Sequence, residues 1–132
     1  MAGGVISELA ADRKRGFCWD LAEARQGIAG SVTKTVSKPI AGKQGPKLVF
    51  LCNPNNPTGV YLAQEHVQAL AQACAEAGAL LVVDEAYLNF VDSPWDSLDL
   101  LEGSNTVLLR SMTKDYALTG LRLGYSLASP EI

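Results

Sequence analysis

The fold is decided by an apolar run of strand length that ends in a turn, Leu48-Val49-Phe50-Leu51-Cys52 followed by Asn53-Pro54-Asn55-Asn56-Pro57-Thr58-Gly59. A continuous apolar run of this length is typical of a strand that is buried on both faces of a parallel sheet. The Asn, Pro and Gly residues force a turn and leave amide side chains at the carboxyl end of the strand. The sequence therefore predicts a buried strand whose carboxyl end carries polar groups.

The next segment completes a strand–helix–strand unit. Apolar residues recur at positions 67, 70, 71 and 74, a spacing that predicts a helix over residues 63–77, and Gly78 is a natural end for it. A second apolar run over residues 79–83 predicts a second buried strand. Because this spacing is typical of a right-handed βαβ unit, the two strands are expected to be parallel.

Weaker patterns predict the remaining elements. A third apolar run covers residues 106–109, and a last strand is expected near residues 121–128. The segment Ser93-Pro94-Trp95-Asp96 is typical of a helix start with proline in the first turn. In the N-terminal part the sequence predicts two short helices and one edge strand, at residues 7–11, 21–25 and 32–36.

The amino-acid composition indicates a globular domain and argues against several other classes of protein. Of the 132 residues, 48% are hydrophobic and 19% are charged, which is typical of a globular domain rather than a disordered chain. No apolar run is long enough to span a membrane, and the amino terminus lacks the apolar core of a secretory signal. The three cysteines are far apart and accompanied by a single histidine, so neither a zinc site nor a disulfide framework is expected. Free thiols indicate a reducing, cytoplasmic setting.

Charge is distributed unevenly along the chain. Residues 1–46 hold seven basic and four acidic residues, for a net charge of +3, whereas residues 47–132 hold four basic and ten acidic residues, for −6. The shift predicts a boundary between an atypical N-terminal segment, residues 1–46, and a domain over residues 47–132. The overall charge of −3 gives no reason to expect nucleic acid as a partner.

Polar side chains follow all three of the predicted central strands: Asn56, Asp84, Tyr87, Ser111 and Lys114. The carboxyl ends of parallel strands lie on one edge of a sheet, so we expect these side chains to face one crevice. A lysine there can form a Schiff base with a carbonyl, and the fork of Arg122, with Ser111, suits a phosphate. Together these groups indicate a ligand that is both a carbonyl compound and a phosphate, as pyridoxal phosphate (PLP) is. Taken singly, a lysine such as Lys114 is usually a solvated surface residue and an arginine such as Arg122 is usually a salt-bridge partner, so the assignment depends on the groups taken together.

Three motifs in this order resemble the signatures of a known family: Asn53 to Gly59, Asp84-Glu85-Ala86-Tyr87, and Ser111-Met112-Thr113-Lys114 with Gly120-Leu121-Arg122-Leu123-Gly124-Tyr125. The sequence is similar to the fold-type-I PLP-dependent aminotransferases of class I/II. Within that family it most resembles the histidinol-phosphate aminotransferase branch. The resemblance covers roughly residues 46–130 and none of the segment before them.

The resemblance implies an α/β fold: a three-layer, mostly parallel sheet with flanking helices, here as a truncated large domain that binds PLP. It also implies a role for each motif residue. Asn56 and Tyr87 would contact the ring hydroxyl, Asp84 the ring nitrogen, and Lys114 would be the catalytic Schiff-base lysine. Ser111 and Arg122 would bind the phosphate.

The implied function is transamination of an amino acid or amino-phosphate, a small-molecule substrate, through Lys114. Two alternatives stay open at this point: a decarboxylase of the threonine-phosphate type, and a truncated, non-catalytic remnant that keeps only the cofactor-binding fold. Family members are much longer than this chain, and their small domain with the arginine for the substrate carboxylate has no counterpart in it. Because a sheet without its outer strands exposes edges and an apolar face, we expect a homo-oligomer.

Overall fold

The computed structural model describes residues 6, 8–16, 18–29, 48–102, 105–114 and 116–132. Its centre is a four-stranded sheet in the order β1-β2-β3-β4, formed by Leu48–Cys52, Leu80–Asp84, Thr106–Ser111 and Gly124–Ala128. The first three strands are parallel, and β4 pairs with β3 in the antiparallel direction. The prediction of an α/β fold with a mostly parallel sheet and flanking helices is confirmed.

Two α-helices accompany the sheet, α1 at Leu21–Ile28 and α2 at Gln64–Glu76, and both were predicted. The Asp20 carboxylate caps α1 by accepting hydrogen bonds from the backbone N–H groups of Ala22 and Glu23. Just beyond the end of α2, Gly78 adopts a φ of 65°, the left-handed conformation that commonly stops a helix. Short 3₁₀ helices lie at Arg13–Arg15, Leu88–Phe90 and Ser97–Leu101. None of the helices in the described ranges combines the length and the hydropathy that crossing a membrane requires.

The core lies between α2 and one face of the sheet. Leu81, Val83 and Leu108 are fully buried there, packed in one cluster with Val67 and Cys74 of α2. Successive side chains of a strand point to opposite faces, so the intervening residues line the other face. Phe50 and Leu109 on that second face are 71% and 36% exposed. This second face is therefore open at Phe50 and Leu109, although Val82 on the same face is only 7% exposed.

Three local predictions need correction. Residues 8–11 form no helix, since a segment this short cannot sustain one without packing. The helix expected to start at residues 93–96 is a 3₁₀ helix that begins at Ser97, capped by the Asp96 carboxylate. The last strand begins at Gly124 rather than at residue 121, because Arg122 has a φ of 53° and a strand requires negative φ. The edge strand predicted at residues 32–36 lies outside the described residues.

The packing of α2 makes a prediction about cysteine reactivity. Cys74 is fully buried, and burial raises the pKa of its thiol to about 11. Only the thiolate reacts with alkylating agents, so at about pH 8 the folded chain keeps Cys74 inert while the half-buried Cys18 reacts. Peptide mass spectrometry after iodoacetamide treatment measures this, with the urea-unfolded chain, in which both react, as the control. Equal labelling of both cysteines in the folded chain would contradict the packing of α2.

Candidate active site

The carboxyl ends of the three parallel strands meet at one edge of the sheet. In the register Cys52 lies beside Asp84, and Asp84 lies beside Leu109. Two backbone hydrogen bonds close the edge: the Asn53 N–H donates to the Asp84 carbonyl at 2.9 Å, and the Glu85 N–H donates to the Leu109 carbonyl at 2.8 Å. Because side chains alternate along β3, Ser111 lies on the same face as Leu109 and therefore on the same face as Asp84.

The turn after β1 is held by its own side chains. Asn53 is 1% exposed, and its Oδ1 accepts a hydrogen bond from the Leu62 N–H at 2.8 Å. The Asn55 amide donates to Thr58 Oγ1 at 2.7 Å, and the peptide bonds before the two prolines of the turn are cis. These contacts leave Asn56 exposed at the carboxyl edge of the sheet.

Three side chains from three different segments meet at this edge. The Asn56 amide nitrogen lies 3.4 Å from the Tyr87 hydroxyl, which accepts its hydrogen bond. The Lys114 ammonium stands over the Tyr87 ring, 5.2 Å from the ring centroid, within the range of a cation–π contact. Tyr87 therefore links the turn after β1 to the loop after β3.

The other three predicted site residues lie at the same edge without a described contact to this cluster. The half-buried Asp84 ends β2, and its Oδ1 accepts from the Ala86 N–H at 3.0 Å, while Ser111 Oγ accepts from the Thr113 N–H at 3.2 Å. Arg122 is exposed in the turn before β4. The residue after it, Leu123, accepts a hydrogen bond from the Met112 N–H at 3.1 Å, which brings this turn alongside the loop that follows β3. Among the described residues, Arg122 has no ion-pair partner.

A buried ion pair on the core face of the same strand ends was not predicted. Arg110 Nε donates to Glu85 Oε2 at 2.9 Å, and the Glu85 side chain is only 1% exposed. Burial by itself would lower the pKa of Arg110, but the hydrogen bond and the charge of Glu85 raise it on balance. A sequence signal did exist, since two residues of opposite charge adjoin neighbouring apolar runs. Nothing in the sequence alone says that they meet across the strands.

These side chains suit a ligand with a carbonyl, an aromatic ring and a phosphate. A primary amine can react with a carbonyl, the amide and the phenol can hydrogen-bond a ring hydroxyl, and a carboxylate can hold a ring N–H. A serine hydroxyl and an arginine fork lie at the same edge and match phosphate oxygens. The donor set therefore fits PLP. The part of the chain that the structure describes contains no group of three or more His, Cys, Asp or Glu side chains placed to hold a metal ion.

Sequence comparisons identify relatives of the chain. The family model described as aminotransferase class I and II matches residues 15–132. Histidinol-phosphate aminotransferase of Symbiobacterium thermophilum is 42% identical over 106 residues, which are 80% of this chain and 29% of that protein. The enzyme of the same name from Rubrobacter xylanophilus is 47% identical over 89 residues, 65% of this chain and 25% of its own length. The chain thus spans less than a third of the length of these curated relatives.

Solved structures of aminotransferases share the fold. A mutant of aspartate aminotransferase from Thermus thermophilus aligns with 98% of this chain and 31% of its own, with a TM-score of 0.77 and 28% identity. A PLP-dependent aminotransferase from Streptococcus suis aligns with 91% of this chain and 28% of its own, with a TM-score of 0.68 and 25% identity. The family match over residues 15–132 and these shared folds show that the chain belongs to the class I and II aminotransferases.

Proposed function

We propose that this chain carries the cofactor-binding site of a PLP-dependent aminotransferase that acts on an amino acid or amino-phosphate. The family depends on PLP. The observation that carries the proposal is the contact of Lys114 with the Tyr87 ring, beside the Asn56 amide, at the carboxyl edge of the sheet. The relatives named histidinol-phosphate aminotransferase support an amino-phosphate substrate.

Each site residue has one task in this proposal. Asn56 and Tyr87 hydrogen-bond the oxygen of the ring hydroxyl, and the Asp84 carboxylate accepts a hydrogen bond from the protonated ring nitrogen. Ser111 Oγ and the Arg122 guanidinium bind the phosphate, one as a neutral donor and the other as a charged fork. When bound, PLP supplies a ring that withdraws electrons from the substrate carbon. The Asp84 charge supports that chemistry by keeping the ring nitrogen protonated.

Lys114 has two tasks. Its Nζ would be the amine that holds the cofactor, and when free the same Nζ could take up and return a proton as general base and acid. Tyr87 lies below the ammonium in the structure, so the ring holds the lysine close to the ligands of the ring hydroxyl. Lys114 is exposed, which leaves the amine open to an incoming carbonyl compound.

The setting of the enzyme is also a proposal. The exposed apolar residues on the second sheet face, among them Phe50, support a homo-oligomer in which another surface covers that face. Three free cysteines support a cytoplasmic location. The negative net charge favours small-molecule substrates over nucleic acid as partners.

The proposal predicts a covalent, Lys114-dependent PLP complex. Adding PLP to the chain should produce a visible absorbance band that borohydride discharges, because reduction fixes the lysine–cofactor bond. Lys114→Ala should lower the band at least about tenfold, since Lys114 supplies the one amine that is found beside the Asn56–Tyr87 pair among the described residues. Lys14→Ala, which changes an exposed lysine in the N-terminal segment, is the matched control and should keep the parent band.

The outcomes separate the candidate functions. A band in the parent and the Lys14→Ala chain that is lost in Lys114→Ala supports the assignment, and amino acids with their phosphates are then tested as substrates. Equal bands in all three chains would contradict Lys114 as the attachment point. Absence of any band would favour the non-catalytic remnant.

The two contacts of Tyr87 can be tested apart. Tyr87→Phe keeps the ring below Lys114 but removes the hydroxyl that accepts from Asn56. We expect it to weaken PLP binding about fivefold to tenfold, the effect of losing one hydrogen bond of ordinary strength. Tyr87→Leu removes the ring as well and should weaken binding further. Absorbance titration gives the dissociation constants, and Tyr116→Phe, at a tyrosine that is 59% exposed, is the control. Parent-like binding by Tyr87→Phe would rule out a role for the hydroxyl.

A further inference from the structure

The Glu85–Arg110 pair joins two strands at the point where the candidate site begins. Glu85 directly follows β2, and Arg110 is the penultimate residue of β3. Arg110 Nε donates to Glu85 Oε2 at 2.9 Å, and Arg110 Nη2 donates to Ser97 Oγ at 3.1 Å. Glu85 and Ser97 are 3% and 1% exposed, so both acceptors are shielded from water, while the Arg110 side chain is 25% exposed. One guanidinium therefore links β3 to the end of β2 and to the 3₁₀ helix Ser97–Leu101.

Each partner of the pair is the chain neighbour of a candidate site residue. Asp84 precedes Glu85, and Ser111 follows Arg110. Side chains alternate along a strand, so the ion pair lies on the core face while Asp84 and Ser111 lie on the opposite face. Whatever fixes Glu85 against Arg110 also fixes the backbone that carries Asp84 and Ser111.

Between β2 and β3, the last backbone hydrogen bond described at this end of the sheet is the one donated by Glu85, although Ser111 still pairs with Gly124 of β4. After the bond from the Glu85 N–H to the Leu109 carbonyl, the chain that follows β2 leaves the sheet and turns into the 3₁₀ helix Leu88–Phe90. Strand ends with few neighbours open more readily than strand centres. The ion pair adds a second, side-chain connection at this place.

We propose that Glu85 and Arg110 are positioning residues that set the distance between Asp84 and Ser111. This inference rests on the proposed function, because these two residues are the assigned ligands of the ring nitrogen and of the phosphate. A rigid cofactor requires both ligands at one fixed separation. An arginine fork with two buried acceptors holds a single geometry, whereas an apolar pair of equal volume fills the space without fixing direction.

A variant that replaces both partners of a buried ion pair can test their positioning role without a large change in the stability of the fold. Replacing both partners of such a pair by apolar residues commonly leaves the stability of the fold unchanged or higher. Removing only one partner lowers the stability, because it leaves a buried charge without a partner. A double variant therefore removes the directional contact without an uncompensated charge. The exposed pair Arg15–Asp20, with Arg Nη1 at 3.2 Å from the carboxylate, provides a matched control.

The test compares the parent with Glu85→Leu/Arg110→Met, Arg110→Lys and the control Arg15→Met. We expect the double variant to melt within about 5 °C of the parent but to bind PLP about tenfold more weakly by absorbance titration. Without PLP, hydrogen exchange of the Glu85 and Met112 amides should accelerate about tenfold. The Leu81 amide, which donates to the Asn105 carbonyl at the other end of the sheet, should keep its rate. Arg15→Met should match the parent in all three measurements.

Each outcome supports or contradicts the positioning role of Glu85 and Arg110. If the double variant has parent-like PLP affinity and parent-like exchange at Glu85 and Met112, the pair does not position the site. If exchange rises equally at Leu81, the pair supports overall stability and the inference is wrong. Should the double variant fail to fold, Arg110→Lys, which keeps the charge but lacks the fork, decides by the same measurements. If the parent itself forms no PLP band, the proposed function fails, and the exchange pattern alone then decides whether the pair orders the strand ends.

Discussion

The parallel pairing of β1, β2 and β3 is the constraint on which the candidate site depends. It places three strand ends side by side, and each end delivers polar side chains from a different part of the chain. No local turn could bring Asn56, Tyr87 and Lys114 together, since they are separated by 31 and 27 residues in sequence. The fully buried residues Leu81, Val83 and Leu108 hold this pairing through contact with α2. The same sheet therefore forms the hydrophobic core with α2 and brings the candidate site residues together.

Because the sheet is pleated, the residues at its carboxyl edge lie on two different faces. On the core face, Arg110 pairs with the buried Glu85 carboxylate, whose charge would be costly to leave unpaired. On the opposite face, Asp84 and Ser111 remain half-buried and open to a ligand. Strand alternation thus places the structural residues and the proposed ligand-binding residues on opposite faces, while the shared backbone couples the position of one pair to the other.

The sequence predicted the elements that local pattern determines. Strands β1 to β3 and helix α2 follow from apolar runs and a helical repeat, and all were found close to their predicted bounds. The start of β4 was misplaced because the left-handed backbone of Arg122 is set by its turn and not by residue type. The ion pair of Glu85 with Arg110, and the bond from Leu62 to the buried Asn53, were not predicted, because each depends on residues that only the folded chain brings together. Five of the six site residues were located at the predicted strand ends, and the motif resemblance assigned the roles of all six. The structure adds that three of them are in contact.

The two ends of the candidate site differ in how far they are organised before a ligand binds. At the end assigned to the ring hydroxyl, Tyr87 already contacts both Asn56 and Lys114, so little side-chain freedom remains to be lost on binding. At the end assigned to the phosphate, Arg122 is exposed, with a left-handed backbone and no ion-pair partner among the described residues. A phosphate would have to order that long side chain, at a cost in conformational entropy that the charge-assisted hydrogen bonds must exceed. The part of the site assigned to the ring hydroxyl is therefore formed before the ligand binds, whereas the part assigned to the phosphate is ordered by the ligand itself.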